Sequence, residues 1–146
     1  MLRAAIAALL VCQLAVACGG SAPQATYTRY QFTCCAAGDL AATWHAGQEV
    51  TLHWVATEVR SLDSSPHAVV LTVELEGPYS DAGGAKQNRG ATAVVEGTSR
   101  TDDGNPAPMT PLMLSASLSP GYYSLTARAD YGAGNSISEG SVVTIG

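Results

Sequence analysis

The stretch WHAGQEVTLHWVATEV, residues 44–59, alternates apolar and polar side chains once it has passed Gly47. Val50, Leu52, Trp54 and Ala56 fall on one face, and Thr51, His53, Val55 and Thr57 on the other. A period of two marks a strand with one buried face, because successive side chains of an extended chain point to opposite sides. The next segment, HAVVLTVELEG at residues 67–77, repeats the pattern. Val69, Leu71, Val73 and Leu75 point inward, and Val70, Thr72, Glu74 and Glu76 outward, until Gly77-Pro78 ends the run. Two consecutive half-buried strands set the expectation for the whole chain.

The flanking sequence continues in the same style. TYTRYQFTC, residues 26–34, reads as an opening strand, and ATAVVEG, residues 91–97, as a short one between loop-rich stretches at 78–90 and 99–108. PLMLSASLSPGYYSLTARADY, residues 111–131, gives two strands around the turn Ser119-Pro120-Gly121. The first has Leu112, Leu114, Ala116 and Leu118 on one face; the second has Tyr123, Leu125, Ala127 and Ala129. A β-branched strand ending at Ile145 closes the chain. About seven short strands, with no apolar repeat at helical spacing over three turns, predict an all-β, antiparallel sandwich.

The order and spacing of these strands resemble immunoglobulin-like domains. LSPGYYSL, residues 118–125, resembles the L-x-P-G-x-Y turn of fibronectin type III and related modules. The resemblance covers residues 26–146 and implies that Tyr123 is a corner tyrosine and that Trp54 fills the space between the sheets. It does not extend to the inter-sheet disulfide of antibody domains, since Cys34 and Cys35 both precede Trp54. Packing is expected to join the sheets instead.

The first residues read as export signals. MLR is followed by an apolar run over residues 4–17, too short for a membrane span and the right size for a signal core, so residues 1–17 are assigned as a signal peptide. Its end, LAVAC, resembles the lipobox of bacterial lipoproteins. That resemblance implies an acyl (palmitate-type) anchor on Cys18 and a place in the cell envelope, extracytoplasmic and attached to a membrane. Leu14 stands four places before Cys18 where the usual pattern has three, and Ala15-Val16-Ala17 also forms an A-x-A cleavage site, which leaves plain secretion open. Residues 18–25 form a small, polar tether ahead of the sandwich at 26–146. Gly19, not Asp, follows Cys18, which by the same resemblance favours the outer membrane.

Cys12 leaves with the signal, so the folded part keeps Cys34 and Cys35. Adjacent Cα atoms across a trans peptide lie about 3.8 Å apart, below the usual disulfide span of about 4.4–6.8 Å, so a vicinal bridge needs a distorted or cis peptide. The alternative is one core-facing thiol and one half-exposed one. A redox pair is disfavoured by the absence of C-x-x-C spacing and of nearby cations other than Arg29.

Function is less legible. A formal charge of -5, with 7 scattered Lys and Arg, argues against nucleic acid as a partner. No G-x-S-x-G or H-E-x-x-H motif occurs, and Asp102-Asp103-Gly104-Asn105 is too short for a calcium loop and reads as turn chemistry, so the chain is expected to be non-catalytic and without a cofactor. His45, His53, Met109 and Met113 form the alternative, a copper-binding set. The tail also resembles the closing strands of periplasmic copper carriers, but Asn135 stands where their ligand His is expected. The primary expectation is a membrane-anchored binding or structural module of the envelope, its partner an envelope protein or glycan. Tyr79, Arg89 and Arg100 in the two long loops are its candidate contacts.

Overall fold

The computed structural model describes residue 20, residues 27–88 and residues 92–146. The assigned signal peptide, Cys18, most of the tether and Arg89 lie outside the described residues. Within them the chain forms β1 (Arg29–Cys34), α1 (Ala37–Ala41), β2 (Thr43–Trp44), β3 (Glu49–Val59), β4 (Ala68–Tyr79), α2 (Ala82–Gln87), β5 (Ala93–Asp102), β6 (Met109–Met113), β7 (Gly121–Asp130) and β8 (Ser136–Ile145).

The strands make two sheets, ordered β1-β3-β6 and β2-β8-β7-β4-β5. Neighbours run antiparallel, except that the two residues of β2 pair in parallel with β8. With β1, β3, β4, β6, β7 and β8 as strands A, B, C, E, F and G, the sheets are ABE and GFC, with β5 added beside C: an immunoglobulin-like sandwich.

The alternating patterns of β3, β4 and β7 build the core. Leu52 and Trp54 with Phe32 face Leu71, Val73, Leu75, Leu125 and Val143 across the gap between the sheets, each nearly or fully buried. Burying such side chains stabilises by roughly 1.5–3 kcal/mol each. Both tryptophans keep their indole N–H satisfied: Trp44 donates to the Asp39 carbonyl, and Trp54 to Thr110 Oγ1, each at 3.0 Å. Tyr123 makes the bond expected of a corner tyrosine, its hydroxyl donating to the Ser119 carbonyl at 2.7 Å. Gly77, at φ +151°, lets β4 lie against that ring, since a Cβ there would stand 2.6 Å from Tyr123 Cδ1.

One flank of the sandwich is sealed. Gly97 of β5 faces β6 so closely that a Cβ would lie 2.7 Å from the Pro111 carbonyl oxygen, and Ser99 bonds Thr110 at 2.7 Å across the same seam. On the other flank β1 and β8 leave an open edge.

Several expectations need correction. β5 runs on through Thr98 to Asp102, so the loop expected at 99–108 begins only at residue 103 and Arg100 is a strand residue paired with Val70. β6 ends at Met113; Leu114 is buried, but Ala116 is exposed and belongs to the turn. α1, α2 and β2 were not anticipated, each being too short to show a period. Cys34 and Cys35 do not split between core and solvent: both are buried, and they are joined as a vicinal disulfide across a cis peptide bond.

Candidate functional site

At one end of the sandwich the start of β1 meets three connections, residues 60–67, 103–108 and 131–135. Asp103 organises this end. It leaves β5 with no exposed surface, its backbone N–H donates to the His67 carbonyl at 2.9 Å, and its carbonyl accepts from Tyr30 N–H at 2.6 Å. Its carboxylate accepts from the His67 amide at 2.8 Å and the Tyr27 hydroxyl at 2.9 Å, and pairs with Arg29 Nε at 2.7 Å. The His67 ring approaches within 3.4 Å. Burial works against ionisation here, but the His67 amide, the Tyr27 hydroxyl, the His67 ring and the Arg29 charge outweigh it and hold the carboxyl below its ordinary value.

Beside this anchor, on the open flank, lies a cleft of ≈ 320 Å³. Arg29, Tyr30 and Gln31 of β1 form one side and Ser136 and Ile137 of β8 the other, with Val59, Tyr131 and Asn135 completing it. Tyr131 fixes its inner limit. Its ring stacks on Phe32 with centroids 6.1 Å apart, and its oxygen accepts the Phe32 N–H at 2.6 Å, which satisfies an edge amide of β1. Burial, its largest influence, raises the Tyr131 hydroxyl above its usual pKa, so it stays a neutral donor. The side-chain amides of Gln31 and Asn135 take no hydrogen bond among the described residues, although both line the cleft. The site thus combines aromatic and aliphatic surface with unengaged amides, a hydroxyl at Ser136 and one guanidinium. That set suits a small ligand with an apolar face and several hydroxyls.

The residues singled out from sequence lie elsewhere. Tyr79 ends β4 at the opposite end of the sandwich and its hydroxyl donates to Asn88 Oδ1 at 3.0 Å, within its own loop. Arg100, paired with Val70 nine residues earlier along β4, is roughly 30 Å away. The structure does not bring these two together. His53 and Met109 face each other across β3 and β6 on the exposed side of the three-stranded sheet, whereas Met113 lies opposite Glu49, four residues or about 13 Å along. His53 is occupied by Asp39, whose carboxylate accepts its amide at 2.7 Å and lies 3.1 Å from its ring. His45 sits beyond β2, with Nδ1 3.0 Å from the Gly146 carbonyl. Among the described residues no group of three or more His, Cys, Asp or Glu could hold a metal ion.

Sequence reading missed Asp103, taken as turn chemistry, and the cleft. Asp102 does make the turn bond, accepting Gly104 N–H at 2.9 Å, but the partners of Asp103 are 36 and 76 residues away. The available signal was the cluster of Arg29, Tyr30 and Gln31 in TYTRYQF, a crowded polar and aromatic run on an opening strand. No protein-family model matches the chain, and no curated protein sequence matches it significantly.

Proposed function

We propose that this chain is a non-catalytic envelope protein of bacteria, held to a membrane through acylated Cys18, the outer membrane being favoured, and that it serves as a binding module whose ligand is a sugar unit of an envelope glycan. The anchor rests on the sequence reading of LAVAC and the tether behind it. The glycan reading is carried by one observation: the cleft between β1 and β8 is lined by Tyr30, Tyr131 and Ile137 together with Gln31 and Asn135, whose side-chain amides take no hydrogen bond among the described residues. Sugars present one apolar face to stack on a ring and a rim of hydroxyls to exchange bonds with amides, so this pairing fits them.

The test is titration of the mature protein with soluble fragments of envelope glycan, followed by backbone NMR shifts. Shifts should cluster at residues 29–31 and 131–137. Replacing Gln31 and Asn135 together with Ala should weaken binding about tenfold or more, at roughly 1 kcal/mol per hydrogen bond, and leave the melting temperature unchanged. Shifts confined to the loop at residues 80–88 would instead return the ligand to the end bearing Tyr79. Mass spectrometry of the protein from its own membrane checks the anchor independently.

A further inference from the structure

We infer that the end of the sandwich organised by Asp103 rests on the lipid surface, with Leu62 entering the headgroup region. The inference builds on the Cys18 anchor proposed above. Tyr27 and β1 begin at this end, so the preceding residues join the domain here. From Cys18 to Tyr27 the chain can span at most about 32 Å, so this end, where Tyr27 enters the fold, lies within that distance of an acylated Cys18.

The surface at this end matches that placement. Leu62 is 103% exposed, the most exposed large hydrophobic side chain among the described residues. An isolated exposed leucine is ordinary. Here, however, the other two connections also present uncharged tips: Pro106 and Ala107 from one, and Gly132-Ala133-Gly134 from the other, all but the glycines apolar and all exposed. Of the nearby carboxylates Asp103 is buried, and Asp63, Asp130 and Asp102, which are at least partly exposed, each have a partner within the fold. Asp103 is buried against Arg29, Asp63 lies between Arg29 at 3.8 Å and His67 at 3.9 Å, and Asp130 pairs with Arg128 at 3.0 Å while accepting Gly132 N–H at 2.8 Å. Asp102 is taken up by Gly104.

Arg60 is exposed two residues before Leu62, and its long side chain can reach phosphates while the leucine sits deeper. The loop is held in shape, since Asp63 N–H donates to Ser61 Oγ at 3.0 Å and Asp63 faces Arg29 of β1. The far end presents His45, Lys86, Asn88, Ser115 and Ser117, and Met113, an exposed large hydrophobic side chain there, keeps more of its surface covered than Leu62 does. Docked this way, the cleft opens sideways close to the bilayer.

The experiment uses the full acylated protein in vesicles of phosphatidylethanolamine and phosphatidylglycerol carrying brominated acyl chains. Trp44 and Trp54 are buried, out of reach of the brominated chains, and give a background common to both variants. Emission from a Leu62→Trp variant should shift to the blue and be quenched several-fold more than that from Ser117→Trp at the far end. Equal quenching of the two variants, with both proteins sedimenting with the vesicles, overturns the lipid contact and leaves the anchor standing. Absence of an acyl chain by mass spectrometry overturns the anchor and this inference with it.

Discussion

Asp103 shows how one side chain can fix the geometry of a sandwich end. Its carboxylate has no exposed surface and gathers Tyr27, Arg29 and His67, so it ties β1 to the β3–β4 connection. Asp103→Ala leaves Arg29 and the His67 amide without their acceptor, and should destabilise by about 3 kcal/mol in urea unfolding. Asp63→Ala removes a half-exposed partner at 3.8 Å and should change stability by less than about 1 kcal/mol. The pH dependence has a definite sign. Because the folded state lowers the Asp103 pKa, its contribution is complete above the unfolded carboxylate value of about 4 and is lost as pH falls through the lower folded value. Acid titration of the wild type should therefore show a loss of stability below about pH 4 that the Asp103→Ala variant lacks in part.

At the scale of elements, the seam between β5 and β6 decides how the sheets meet. A side chain at position 97 would strike the Pro111 carbonyl, which is backbone and cannot swing aside. Gly97→Val should cost about 1–3 kcal/mol and separate the Ser99–Thr110 pair, visible as faster amide exchange along β6. Elements with a buried and a wet face were legible from sequence: β3, β4 and β7 carry their period openly, as Leu52, Leu71 and Leu125 show. β5 was cut short because Thr98, Arg100 and Asp102 look like loop residues, yet an edge strand on a solvated face needs no apolar alternation. The cleft was illegible for a different reason. Its sides come from the first and last strands, which lie in different sheets, and only the packing of one sheet on the other places Tyr30 near Ile137.

On the scale of the whole molecule, one core is shared by both sheets. Trp44 belongs to the five-stranded sheet and Trp54 to the three-stranded one, and both lie in the same apolar cluster. Unfolding followed by tryptophan fluorescence and by far-ultraviolet circular dichroism should give coincident transitions. Separate midpoints would mean that the sheets come apart independently. The chain also travels the full height of the fold: β1 starts at the Asp103 end, whereas β8 finishes at the other, where Gly146 N–H bonds the Trp44 carbonyl at 2.9 Å. A tension drawn between Tyr27 and Gly146 would therefore pull β1 and β8 lengthwise, in opposite directions. Their ladder bonds would then be sheared together rather than peeled in turn, the direction of loading in which a sheet holds most firmly.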